Sequence, residues 1–208
     1  MMVRVALMSG GKDSFYAAMR VGKVDLALML IYEAPQPSPH VVNLGKSIET
    51  ILNSGIPVVT LRLKKGRERS DLVNFLSKLH VNEIIAGDVY IEDHLKYMES
   101  IANELGAKLI EPLWGEDPQE LMVKIFKSGI EATIIGVIKE LRKWLGFKLT
   151  SESLNDFMNY CKELNIDPLG EHGEYHTIVV NSPLHIRPLS LKILGIEEFN
   201  QYSILRLV

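Results

Sequence analysis

The chain has 208 residues, a single cysteine and a formal net charge of −3, with 47% hydrophobic and 24% charged residues. This is the composition of a globular protein able to bury a core without staples. Cys161 alone excludes a disulfide framework or a Cys-rich zinc site and suits a reducing cytoplasm. The charge excludes a global basic field for nucleic acid. No apolar run approaches the ~18–20 residues of a membrane helix, and no leader-like segment precedes the first strand.

The first two-thirds alternate strand and helix patterns. The apolar run 3–8 reads as strand one, and 13–21 as a helix ended near Gly22. Residues 26–31 read as strand two, followed by a loop carrying Pro35, Pro37 and Pro39. Residues 44–52 are helical up to Gly55, and 57–61 form strand three. A helix over 71–79 takes Ser70 as its N-cap, and 83–86 form strand four, ending at Gly87-Asp88. A helix over 92–105 closes at Gly106, 108–110 form strand five, and 117–127 are helical. This alternation predicts a Rossmann-like α/β fold, a parallel sheet with helices on both faces. A ligand then binds beyond the carboxyl ends of the strands, where segments 9–14, 32–40 and 87–94 should meet.

The pattern changes after Gly129. Strands over 132–138, 175–180, 190–194 and 204–208, with helices over 139–145 and 154–164, predict a smaller α+β domain. The expected domains are therefore 1–129 and 130–208. Cys161 falls on the amphipathic 154–164 helix as a small core residue.

Two polar clusters carry chemistry. The first is Ser9-Gly10-Gly11-Lys12-Asp13-Ser14, directly after strand one. A strand, a glycine turn and a helix start bring backbone N–H groups and the helix dipole onto an anion, usually a phosphate. It is not a Walker A loop, because Ala6 stands where the first glycine is required and Asp13 follows Lys12. A dinucleotide Gly-x-Gly-x-x-Gly spacing is also missing. Ser9, Gly10, Gly11 and Ser14 would hold phosphate oxygens, and Lys12 would neutralise developing charge. Asp13 is a candidate Mg²⁺ ligand, and Gly87 and Asp88 are second candidates for nucleotide or metal. An ordinary βα turn capped by Asp13 or Ser14 is the plain alternative.

The second cluster runs from Leu169 and Gly170 through Glu171, His172, Gly173, Glu174, Tyr175, His176 and Thr177, between a helix and a strand. Its glycines allow close backbone approach, so it reads as a substrate-facing loop, with a polar β-turn as the plain alternative. His172 and His176 have the four-residue spacing of a zinc pair, but Gly173 and the strand that follows argue against the helix such a pair needs. His40 and His94 fall in loops at the same edge, where either could touch nucleotide, although a lone loop histidine is usually just exposed.

The hexapeptide resembles the pyrophosphate-binding loop of the N-type ATP pyrophosphatases, the PP-loop family. With Glu111-Pro112-Leu113-Trp114, the 170–177 loop and Asn181-Ser182-Pro183-Leu184 in that order, nearly the whole chain resembles the diphthine–ammonia ligase family. The family loop usually has Gly and Glu where this chain has His172 and His176. The resemblance implies an adenine nucleotide alpha hydrolase-like fold, ATP and Mg²⁺ as cofactors, and Lys12, Asp13, Glu171 and Glu174 as catalytic residues. It implies that ATP adenylates the carboxylate of diphthine on elongation factor 2, and that ammonium supplies the nitrogen of the amide, with AMP and pyrophosphate released. A homodimer is the allowed assembly, and neither membrane nor nucleic acid is an expected partner. Two alternatives remain at this point. One is a tRNA-modifying relative, although one cysteine cannot supply the pair that thiolating branches use. The other is an ATP sensor without turnover, which would not need the second polar loop.

Overall fold

The computed structural model describes residues 2–33 and 37–208. The chain divides into two compact units. The first comprises Met1–Ser9, Asp13–Pro37 and Ile56–Gly115, and the second Gly10–Lys12, Ser38–Gly55 and Glu116–Val208.

The first unit carries a five-stranded parallel sheet. Its strands are β1 (Arg4–Leu7), β2 (Leu26–Tyr32), β3 (Val58–Leu63), β4 (Glu83–Ile85) and β5 (Lys108–Ile110), in the order β3-β2-β1-β4-β5. Helix α1 (Lys12–Val21) follows β1, α4 (Glu68–Lys78) follows β3, and α5 (Glu92–Leu105) follows β4. Val5, Leu28 and Ile84 at the sheet centre share a core with Leu72 and Leu76 of α4 and Met98 and Ile101 of α5. Helices α4 and α5 thus cover one face, and right-handed crossovers place α1 on the other. Strand order reverses between β1 and β4, which pair through Val5↔Ile84 and Ala6↔Ile85. The loops after these two strands open beside each other at the switch point.

The second unit is built on a five-stranded antiparallel sheet. It comprises β6 (Glu131–Ile138), β7 (Lys148–Leu149), β8 (Tyr175–Asn181), β9 (Ile193–Phe199) and β10 (Tyr202–Leu207). The order is β7-β6-β10-β9, with β8 on the other side of β6. Ile135, Ile178, Val180, Leu189, Leu205 and Leu207 form a core cluster on it. Helices α2 (Pro39–Val42), α3 (Leu44–Asn53), α6 (Pro118–Lys127) and α7 (Leu154–Glu163) complete the unit. A 3₁₀ turn covers Lys139–Trp144.

Several boundaries differ from the sequence reading. The second unit begins at Glu116 rather than near residue 130, and it is not a small tail, because two earlier segments join it. Helix α6 has the look of one more α/β repeat, yet it packs on α7 and its Met122 sulfur receives the Tyr175 hydroxyl at 3.8 Å. Residues 38–55 join because Asn43 works as a strand substitute. Its amide donates to the Leu205 carbonyl at 2.8 Å and accepts from Leu207 N–H at 2.8 Å. These bonds begin where β6 stops pairing with β10, whose last shared pair is Ile204↔Gly136.

Of the proline loop, Pro35 lies outside the described residues, and Pro39 starts α2. Ser38 caps that helix by accepting from Val41 N–H at 3.4 Å. Ser70 is not an N-cap, since α4 starts at Glu68 and the Ser70 hydroxyl donates back to the Arg67 carbonyl. The strand expected over 190–194 runs from Ile193 to Phe199, and β7 is too short to show a period. Cys161 is fully buried on α7, and burial, reinforced by Asp167 and Glu174, pushes its thiol up to about 12.

Gly136 is the tightest glycine of the sheet. A Cβ there would overlap Pro39 and lie 2.9 Å from the Tyr202 ring. Neither a proline ring nor a strand-borne tyrosine yields easily, so Gly136→Ala should destabilise the protein by about 1–3 kcal/mol. Urea denaturation would measure this, and a loss under a few tenths of a kcal/mol would show that the contact relaxes.

Candidate active site

The glycine turn follows β1 directly. Gly10–Lys12 belongs to the second unit, and Ser9, Asp13 and Ser14 to the first. Gly10 adopts φ 91°, a conformation that glycine reaches without strain. Its carbonyl accepts from Val179 N–H at 2.9 Å, and Lys12 N–H donates to the Thr177 hydroxyl at 3.2 Å. Residues 10–12 therefore run alongside β8, bonded to it by one backbone and one side-chain contact. A Cβ at Gly10 would come within 3.0 Å of the Thr50 methyl and 3.2 Å of the Ser47 carbonyl.

Lys12 is only 2% exposed. Its ammonium donates to the Leu169 carbonyl at 2.7 Å and lies 5.0 Å from the Tyr175 ring centroid. Both contacts come from the segment that the sequence marks as the second polar cluster. Tyr175 is fixed in turn: its hydroxyl donates to the Pro168 carbonyl at 2.6 Å and its ring meets Phe157 at 5.0 Å. Gly170, at φ 75°, is required here, since a Cβ would fall 2.7 Å from the Tyr175 ring.

Asp167 orders the loop that carries these groups. Its two carboxylate oxygens accept from Leu169 N–H at 3.1 Å and Glu171 N–H at 2.9 Å. Sequence reasoning missed this residue, although an acid two residues before the loop's first amide is an Asx-turn signature. Glu174 accepts from His172 N–H at 3.1 Å, and its carbonyl accepts from Ile138 N–H. The loop is thus a turn that leads into β8. His172 is exposed on that turn, whereas His176 lies within β8, so the two do not form a helical zinc pair. Among the described residues no group of three or more His, Cys, Asp or Glu could hold a metal ion.

His40 is not an exposed loop residue. It is 7% exposed on α2, and its ring meets His176 edge-on with centroids 5.5 Å apart. His176 also meets the Tyr202 ring at 6.1 Å. Burial, then His176 and Lys12, push His40 down to about 3. Burial and then Lys12 push His176 down to about 4. Both imidazoles are therefore uncharged at neutral pH.

Within the first unit, the start of α1 and the end of β4 approach closely. A Cβ at Gly87 would lie 3.2 Å from the Asp13 carbonyl and 3.3 Å from Ser14 N. Asp13, Ser14 and Gly87 are thus brought together as the sequence expects. Asp88 is not the cap of α5, whose N-cap is Ile91. Its N–H donates to Glu111 at 3.2 Å and its carboxylate bonds His94 Nδ1 at 3.0 Å. Glu111, in the Glu-Pro-Leu-Trp element, thereby fixes the loop after β4.

The fold and the loop define the class: a Rossmann-like α/β protein with a Ser-Gly-Gly-Lys-Asp-Ser turn at its switch point and an antiparallel second unit. The chain belongs to the diphthamide synthase family. The family model of the diphthamide synthase N-terminal domain matches residues 2–109, and that of the C-terminal domain matches 117–205. A curated relative, the diphthine--ammonia ligase of Schizosaccharomyces pombe, is 29% identical over 124 residues. That match covers 56% of this chain and 20% of the relative, so the chain spans about a fifth of the curated protein it matches. A crystal structure of a predicted subunit of tRNA methyltransferase from Methanocaldococcus jannaschii aligns with a TM-score of 0.45. The two are 17% identical, and the alignment covers 89% of this chain and all of that one. Among the described residues no helix is long and apolar enough to cross a membrane.

The buried imidazoles set an acid limit. His40 and His176 titrate lower in the folded chain, about 3 and 4, than the 6.5 of a free imidazole. The unfolded chain then binds more protons below pH 6.5, so their contribution is complete above that pH and is lost as pH falls towards 4 and 3. Each of these imidazoles adds a slope of up to about 1.4 kcal/mol per pH unit. Urea denaturation between pH 7 and 4.5 should show stability falling with acid, with a shallower fall in His176→Gln. An unchanged slope would place the acid sensitivity elsewhere.

Proposed function

We propose that this chain is an ATP-dependent, AMP-forming amide ligase that acts on a protein carboxylate, diphthine of elongation factor 2, with ammonia as nitrogen donor. The observation that carries the reading is the joining of Lys12 to the second polar loop. Its ammonium and its N–H both bond that segment, at Leu169 and Thr177. A lysine in a phosphate-type turn, anchored by the loop expected to face the acceptor, suits a reaction in which phosphate chemistry and acceptor chemistry are coupled. A sensor that only holds nucleotide has no use for that coupling.

The roles follow from charge and geometry. ATP would supply the adenylyl group, and Mg²⁺ would shield its phosphates. Gly10, Gly11 and the start of α1 offer backbone donors to phosphate oxygens, with Ser9 and Ser14 adding hydroxyls. Lys12 stabilises the negative charge that grows as the α–β phosphate bond breaks. Asp13 is the carboxylate nearest the loop for the metal. The acceptor carboxylate attacks the α-phosphorus, pyrophosphate leaves, and ammonia then displaces AMP from the acyl adenylate. Glu171 and Glu174 are the candidate proton acceptors for that second step. Elongation factor 2 and ammonium are the partners this reading requires, and it requires no nucleic acid.

The test is an incubation with ATP, Mg²⁺, ammonium chloride and diphthine-bearing elongation factor 2. AMP and an amidated factor should form together, and Lys12→Met should lower AMP formation at least ~100-fold. ADP as the sole nucleotide product would overturn the reading. So would AMP formed with no change in the mass of the factor.

A further inference from the structure

One cluster of the second unit is not absorbed by the phosphate chemistry. His40 on α2, His176 on β8 and Tyr202 on β10 meet above Gly136, which pairs with His176 and lies against Pro39 and Tyr202. The His176 ring is central, 5.5 Å from His40 and 6.1 Å from Tyr202. Among the described residues, His40 Nδ1 and the Tyr202 hydroxyl are both buried without a hydrogen-bond partner. Leaving two such atoms unsatisfied costs about 1–3 kcal/mol each, which phenylalanines of the same shape would avoid. Two acceptor-capable groups around a third ring therefore read as a site for a small polar molecule rather than as packing.

The charge around the cluster selects the ligand. Lys12 is the cation whose field reaches both imidazoles and, after burial, helps to hold them uncharged. Glu174 is the anion acting on Tyr202, whose hydroxyl burial keeps protonated. A guest cation would meet the same burial and the same Lys12 field, so ammonium is disfavoured. An uncharged N–H donor is not: neutral imidazole nitrogen and phenol oxygen both accept from it.

The geometry points to a pocket at His40, His176 and Tyr202 that holds uncharged ammonia, the nucleophile of the amidation proposed above, on which this assignment rests. Ammonium leaves one proton in solvent on entering. The nitrogen lone pair then forms the C–N bond at the acyl adenylate carbonyl. The C–O bond to AMP breaks, its electron pair leaves on the AMP phosphate, and the surplus proton on nitrogen passes to the Glu174 carboxylate. His40 and Tyr202 would thus set the affinity for ammonia and leave adenylation to the glycine turn.

The experiment separates the two half-reactions. Acceptor-dependent ATP–pyrophosphate exchange reports adenylation without ammonia, and amide formation against ammonium chloride concentration reports the pocket. In His40→Phe, which keeps a ring against His176, the KM for ammonium should rise at least tenfold. The KM for ATP in exchange should stay within twofold. Tyr202→Phe, which removes one oxygen, should shift the ammonium KM in the same direction and serves if the His40 variant does not fold. Exchange in the wild type with an unchanged ammonium KM in the folded variants would overturn the pocket and leave the ligase reading standing. Absence of acceptor-dependent exchange in the wild type would overturn the ligase reading, and this assignment with it.

Discussion

Burying the Lys12 ammonium is the constraint on which the rest of the second unit depends. Removing an ammonium from water carries an effective penalty of several kcal/mol. The hydrogen bond to the Leu169 carbonyl offsets about 1.5–3 kcal/mol of this, and the Tyr175 face up to about 2. Each offsets part of the penalty, so carbonyl and ring are both held in place. This explains the density of fixed groups nearby. Asp167 sets the backbone that presents the carbonyl, and Gly170 lets the chain pass the ring. Pro168 and Phe157 then fix the ring itself.

The same charge adds to burial in setting the state of nearby imidazoles. Two imidazoles sit within its reach on secondary-structure elements that differ from its own, and both are kept neutral. Burial does most of this, and the nearby cation adds to it. The glycine turn and the second polar loop are thereby held on one set of bonded strands and turns.

Much of the fold was legible because its signals are local. The apolar runs of β1, β2 and β4, and the Gly106 end of α5, need only neighbouring residues to be read. The errors fell where distant contacts decide. Helix α6 has the period of another α/β repeat, and only its packing on α7 assigns it to the second unit. Residues 38–55 follow their own unit because the Asn43 amide extends β10 across a separation of more than 160 residues. The short helix α2 was readable after all: Ser38 before Pro39 is a cap followed by a proline at the first helical position. His40 was not, because a histidine that follows a proline-rich loop looks exposed until β8 supplies its neighbour.

By itself the amino-acid sequence determined the parallel α/β repeat, the glycine turn after β1 and the existence of a second polar loop. These follow from periodicity, turn chemistry and residue type, which act over a few positions. Only the tertiary structure decided that Lys12 is buried against that loop, that His172 and His176 have different surroundings, and that His40 and Tyr202 flank His176. Those facts rest on burial and on charges brought close by chain segments far apart in order, and neither is encoded in local spacing.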